Sequence, residues 1–154
     1  MAKKADDNDQ LTESQKEYLT TLYHLSRKNE GEEEESLVRI KDIAAEMGVA
    51  PPSVVEYVQR LARQEKVRVV PRKGVSLTEK GLKEAKVLVN RHRIIACFLK
   101  HVLKLDEELS NLQAHAMEHL MEGETMVALF NHINAEVGCP HKDCTFENIC
   151  DPSE

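Results

Sequence analysis

Gly48 constrains this chain more than any other residue, because it separates two short stretches whose apolar residues recur at helical spacing. Before it, Ile40, Ile43, Ala44 and Met47 stand at i, i+3, i+4 and i+7, which predicts a helix over 39–47 with one apolar face. A glycine directly after the last periodic residue ends such a helix, since it adopts the left-handed conformation without a steric cost. After three residues Pro51-Pro52 opens a second helix, where a missing N–H does no harm, and Val54, Val58, Leu61 and Ala62 give it an inner stripe over 51–64. Val67, Val69 and Val70 then form a β-branched run, Pro71-Arg72-Lys73-Gly74 a turn, and Val75 and Leu77 a return strand. Two helices joined by a glycine turn and followed by a hairpin with a basic tip have the form of a winged helix-turn-helix, whose second helix enters the major groove of DNA.

The rest of the chain reads as helix. Thr12-Glu13-Ser14-Gln15 is a capping-box pattern, and Tyr18, Leu19, Leu22, Tyr23 and Leu25 follow it at helical spacing, predicting a first helix over 12–28. Gly31-Glu32-Glu33-Glu34-Glu35 is a turn plus mutually repelling charges and reads as a solvated loop. Thr78 caps a long helix expected to reach Lys104, with Leu82, Ala85, Val89, Ile94, Ile95, Phe98, Leu99 and Val102 apolar and Cys97 buried among them. Asp106 caps a further helix expected to end near Gly123, and a last helix spans 124–137. The fold class is therefore mainly α. A disordered tail is expected over 1–11, a winged helix-turn-helix over 12–80, a helical dimerisation and metal-sensing domain over 81–137, and a Cys/His-rich tail over 138–154.

A net charge of −6 does not at first suit a nucleic-acid binder. Its distribution does: residues 1–38 carry −5, residues 39–93 carry +7, and residues 94–154 carry −8. The basic middle coincides with the winged module. If Val54, Val58 and Leu61 pack inward, Ala50, Pro51, Pro52, Ser53, Glu56 and Tyr57 are placed to meet base edges. Lys41, Arg60, Arg63, Arg72 and Lys73 are then the phosphate-facing candidates.

The acidic half carries His115-Ala116-Met117-Glu118-His119. On one helical turn, positions i, i+3 and i+4 share a face, so two imidazoles and a carboxylate converge as a divalent first-row ion requires. His92 on the preceding helix and Glu17 on the first are candidate further ligands. H-x-x-E-H is also the signature of a zinc hydrolase with Glu as general base. Only 35 residues follow His119, and a winged module has no role in proteolysis, so the enzyme reading is the weaker one.

Taken together, Glu17-Tyr18-Leu19-Thr20-Thr21-Leu22-Tyr23, Ile40-Lys41-Asp42-Ile43-Ala44, Pro52-Ser53-Val54, Gly74-Val75-Ser76-Leu77-Thr78-Glu79-Lys80-Gly81, Arg91-His92-Arg93 and Met117-Glu118-His119 make the chain resemble one known family. This is the diphtheria toxin repressor and manganese transport regulator family of metal-activated repressors. The resemblance runs from about Glu17 to Phe130 and implies Mn²⁺ or Fe²⁺ as co-repressor. It places Glu17 where the family takes a Met or Asp ligand and His92 at the long-helix histidine. His115 falls where iron-type members have Cys and manganese-type members Glu, while Glu118 and His119 match the residues that follow. Thr20 and Ala96 replace carboxylates found in some relatives, which argues against a second site built as in those relatives. Glu56 replaces a Gln, which implies a different operator. The resemblance leads one to expect a short form without the SH3-like domain of longer members.

In its place stand Cys139, His141, Cys144 and Cys150, a set able to hold Zn²⁺ or an iron–sulfur cluster. The polar N-terminus and the absence of a long apolar run predict a cytoplasmic protein that does not enter membranes. The expected function is that of a homodimeric repressor which binds a palindromic operator in double-stranded DNA when loaded with Fe²⁺ or Mn²⁺, with Zn²⁺ also compatible with the donors. The alternative is a winged-helix regulator whose metal is structural or whose sensor is the Cys-rich tail.

Overall fold

The structure is a computed structural model that describes residues 11–28 and 37–136. The glutamate run over 31–35 and the tail with Cys139, His141, Cys144 and Cys150 lie outside the described residues. The chain divides into two compact units, Met1–Ala85 and Lys86–Glu154. Among the described residues no helix is long and apolar enough to cross a membrane.

In the first unit, α1 (Glu13–Lys28) starts from the predicted capping box: Thr12 N–H donates to Gln15 Oε1 at 2.9 Å and Gln15 N–H to Thr12 Oγ1 at 3.3 Å. Its buried face, Tyr18, Leu19, Leu22 and Tyr23, packs against α2 (Ile40–Met47), α3 (Pro51–Arg63) and strand β2 (Gly74–Leu77). Gly48 closes α2 at φ 65°, and its N–H reaches back to Ala45 O. Strand β1 (Val67–Val70) pairs antiparallel with β2 in the register Val67↔Leu77 to Val70↔Gly74. Val38 adds a bridge on the other edge, exchanging two backbone hydrogen bonds with Val75 at 2.9 and 2.8 Å. This close approach explains Gly74: at φ 148° a Cβ would stand 2.6 Å from Val38 O. Val54, Val58 and Leu61 are all buried, as the inner stripe requires.

Helix α4 (Glu79–Cys97) is capped by Thr78, whose Oγ1 accepts from Gly81 N–H at 3.1 Å. Its first turns lie against the base of the wing, where a Cβ on Gly81 would overlap the Lys66 carbonyl oxygen and approach its carbon to 2.8 Å. Lys66 is 1% exposed and its Nζ lies 3.1 Å from Glu84 Oε2.

The expected α-helix to Lys104 is corrected here, because α4 ends at Cys97 and a π-helical turn, Phe98–Val102, follows. Leu103 N–H then bonds to Phe98 O, five residues back. Helix α5 (Glu107–Met117) opens on Asp106, whose Oδ1 accepts from Leu109 N–H at 2.8 Å. It stops well short of the expected Gly123, which instead begins α6 (Gly123–Glu136). The early stop lets α6 fold back, so that Met126, Phe130 and Ile133 join Ile94, Ile95, Cys97, Leu99 and Ala114 in one core, with Met117 and Met121 packed at its edge.

Candidate metal centre and nucleic-acid interface

The end of α5 is what shapes the second unit's cluster of metal-ligating side chains. His115 stands in the last turn of α5, Glu118 is its C-cap, with N–H donating to Ala114 O at 2.9 Å, and His119 lies in the turn beyond. The expectation that all three share one regular helical turn is therefore corrected for Glu118 and His119. The convergence survives, because Glu118 keeps a right-handed helical backbone and its carboxylate stays near the helix face.

Glu118 sits at the middle of three imidazoles. His92 Nδ1, from α4, lies 2.9 Å from Oε2, His115 Nδ1 lies 3.3 Å from Oε1, and His119 Nε2 lies 3.4 Å from Oε1. The His92 and His115 ring centroids are 6.5 Å apart, and those of His115 and His119 are 5.7 Å apart. One ligand atom from each of His92, His115 and Glu118 falls within 4.8 Å of the others, and among the described residues they form the one such group of three or more. The carboxylate side chain is 15% exposed and His119 14%, whereas His115 is 55% exposed, so the cluster has a dry side and an open side. An anion shared by several neutral-capable imidazoles, partly withdrawn from water, is a donor set that fits a divalent first-row cation.

His92 also lines a cavity of about 220 Å³ with Arg93, Ala96, Ser110 and Asn111. Ala96, where some relatives of the resembled family place a carboxylate, contributes only a methyl to this lining. Glu17 belongs to the first unit, on α1.

In the first unit, Lys41, Ala50, Pro51, Pro52, Ser53, Glu56, Arg60, Arg63, Arg72 and Lys73 are all exposed. Tyr57 differs from its predicted companions: it is half-buried and its ring stacks on Tyr18, with centroids 4.6 Å apart and planes at 20°. Arg60 lies over the same ring, Cζ to centroid 5.5 Å, and its Nη2 is 2.5 Å from Glu56 Oε1. Burial, then Tyr57 and the Glu17 carboxylate, raise the Tyr18 phenol above the ordinary tyrosine range. At the wing tip Arg72 takes φ 63°, a left-handed conformation next to the exposed Lys73. Sequence reasoning passed over Arg68, exposed on β1 of the wing, although the alternation of that strand turns it opposite to the buried Val67.

Comparison with known proteins bears on both surfaces. Residues 10–75 match the family model "Iron dependent repressor, N-terminal DNA binding domain", and residues 78–147 match "Iron dependent repressor, metal binding and dimerisation domain". The HTH-type transcriptional regulator MntR of Bacillus velezensis is 34% identical over 108 residues, covering 70% of this chain and 71% of that protein. An uncharacterised HTH-type transcriptional regulator of Methanocaldococcus jannaschii is 29% identical over 119 residues, covering 77% of this chain and 91% of that one. Among solved structures, ScaR with bound Zn²⁺ superposes with a TM-score of 0.70 at 29% identity, over 86% of this chain. The chain spans 60% of the length of that ScaR chain.

Proposed function

The chain belongs to the iron-dependent repressor family, and from that premise we propose that it is a cytoplasmic transcriptional repressor which a divalent metal ion activates for DNA binding. The family consists of transcriptional regulators, not enzymes, so the hydrolase reading of H-x-x-E-H is set aside.

One observation carries the proposal: the Glu118 carboxylate lies within 3.4 Å of three imidazole nitrogens drawn from α4, from α5 and from the turn after it. We assign His92, His115, Glu118 and His119 as metal ligands, and Fe²⁺ or Mn²⁺ as co-repressor, with Zn²⁺ compatible with the same donors. The bound ion would supply a fixed positive charge that holds α4 and the end of α5 in one arrangement. Glu17 is the candidate ligand carried by the first unit, and the metal affinity of Glu17→Ala decides its part.

On the DNA side, α3 is the reading helix. Ala50, Pro51, Pro52, Ser53 and Glu56 face outward at its N-terminal end, where base edges are met, while Lys41, Arg60, Arg63, Arg72 and Lys73 supply charge for phosphates. The operator is proposed to be a palindrome read by a homodimer. Leu103 and Leu112, 52% and 64% exposed on the second unit, offer apolar surface for that association. Coupling follows by linkage, since an ion that prefers the DNA-ready arrangement must itself bind more tightly when DNA is present.

The test is operator-library selection with metal-stripped protein, titrated separately with Mn²⁺, anaerobic Fe²⁺ and Zn²⁺ at one salt concentration. Palindrome-selective binding that appears with one ion is the expected result and names the co-repressor. Equal binding with and without every ion would reduce the metal to a structural part.

A further inference from the structure

We propose that Tyr18, a residue that cannot itself reach DNA, is a positioning residue for operator reading. By stacking on Tyr57 it fixes the edge of α3 that carries Glu56 and Arg60. This rests on the proposed function and adds to it the residue through which α1 shapes the reading surface.

Tyr18 is 2% exposed, so any effect it has on DNA passes through a neighbour. That neighbour is Tyr57, stacked at 4.6 Å with planes 20° apart, a near-parallel arrangement typical of favourable ring pairs. Tyr57 borders the inner stripe, three residues after Val54 and four before Leu61, but unlike them it is only half-buried, so the core encloses just part of its ring. The Arg60 guanidinium rests over its ring and also pairs with Glu56, whose side chain is 62% exposed. A continuous set of contacts therefore runs from a buried ring on α1, through a half-buried ring on α3, to an exposed cation and carboxylate on the reading helix.

Each contact narrows the next. With Tyr18 against one face, Tyr57 cannot swing away, and Arg60 and Glu56 keep a defined place before DNA arrives. Presenting side chains already ordered reduces the entropy lost on binding, and it does so at the residues that touch the operator. Non-specific binding draws on charge that stays the same with or without the stack, so the device acts on selectivity.

The experiment compares wild type, Tyr18→Phe, Tyr18→Leu, Tyr57→Leu and the Tyr18→Leu/Tyr57→Leu double variant, each loaded with the activating ion. It measures affinity for the selected operator and for a scrambled duplex at one salt concentration. Leucine fills the core without offering a flat face, whereas phenylalanine keeps the stack. Tyr18→Leu should lose about tenfold in the ratio of operator to scrambled affinity, within the range usual for coupling between sites. The double variant should lose no more than the larger single loss, and Tyr18→Phe should retain the ratio. With three tyrosines and no tryptophan in the chain, the near-ultraviolet circular dichroism of a Tyr23→Phe background reports the stacked pair alone and should collapse with Tyr18→Leu. Should Tyr18→Leu melt below the assay temperature, Tyr18→Met, with its adaptable side chain, carries the same comparison. A wild-type ratio in the folded Leu or Met variant, or losses that add in the double variant, would overturn the proposal while leaving the repressor reading intact. Wild type without operator preference under any ion would overturn both.

Discussion

Nδ1 of His92 lies 2.9 Å from Oε2 of Glu118, which ties the C-terminal half of α4 to the residue that caps α5. The other carboxylate oxygen faces His115 at 3.3 Å and His119 at 3.4 Å. Both oxygens are thus committed to imidazoles, and none of the three histidines is its neighbour's only partner in the cluster. The carboxylate is the member on which the arrangement depends.

Replacing that carboxylate by its neutral isostere tests this directly. Glu118→Gln keeps the shape and a hydrogen-bonding oxygen but removes the charge that draws a cation. Metal affinity, measured by competition with a chromogenic chelator, should fall by at least the roughly 10–100-fold that loss of even an outer partner causes. Far-ultraviolet circular dichroism of the metal-free protein should be unchanged. Unaltered affinity would remove Glu118 from the ligand set.

Much of this was legible in the chain, because local signals and tertiary packing agree there. The Thr12–Gln15 capping box, the glycine stop at 48, the Pro51-Pro52 start and the Val54, Val58, Leu61 stripe each name one structure, and the structure contains all four. The misses lie where packing overrules periodicity. The apolar pattern runs on past Cys97 without a break, yet the backbone changes to a π turn, and no residue type announces that change. Leu120, which falls within the helix expected to run to Gly123, instead follows the end of α5 at Met117 and is 84% exposed. At the site, His115, Glu118 and His119 were readable from spacing, whereas His92 stood only as a candidate on another helix. The Tyr18–Tyr57 stack was not readable, since it joins residues far apart in sequence whose contact depends on how α1 crosses α3.

The basic residues of the first unit should differ from the reading residues in what their loss does. Arg63 and Lys73 are exposed, at the end of α3 and at the wing tip, and neither lies at the N-terminal end of the reading helix. Arg63→Ala and Lys73→Ala should weaken binding to operator and scrambled duplex alike. For each phosphate contact removed, the slope of log affinity against log salt should lessen by about 0.9. A change in sequence preference with an unchanged slope would make either residue a base reader.

Lys66 gives a stability prediction with a definite order. Its ammonium is buried and faces Glu84, whose side chain is 24% exposed. Glu84→Gln removes the carboxylate that faces a buried ammonium, whereas Lys66→Met removes that ammonium and leaves the carboxylate on a side chain that is only partly buried. Breaking a buried pair costs roughly 3–5 kcal/mol, and the partial exposure of Glu84 places this case near the lower end. Glu84→Gln should therefore lower Tm by roughly 6–12 °C for a chain of this size, and Lys66→Met by clearly less. Equal losses in thermal melts would show that the pair contributes through packing and not through charge.

Tyr18 should make the stability of the first unit depend on pH at the alkaline end. Burial first, then Tyr57 and Glu17, raise its pKa in the folded chain above the ordinary value of about 10. A group raised in this way keeps its stabilising contribution below the unfolded pKa and loses it as pH rises through the folded one, because above about 10 the unfolded chain releases a proton that the folded chain retains. Stability should therefore fall as pH rises beyond that point, and Tyr18→Phe, which has no proton to lose, should flatten the fall. Ultraviolet titration of a Tyr23→Phe/Tyr57→Phe variant, in which Tyr18 is the one remaining tyrosine, checks the origin: its ionisation should fall above the ordinary tyrosine range. If it ionises at the ordinary value while the fold persists, the phenol is better solvated than its 2% exposure indicates.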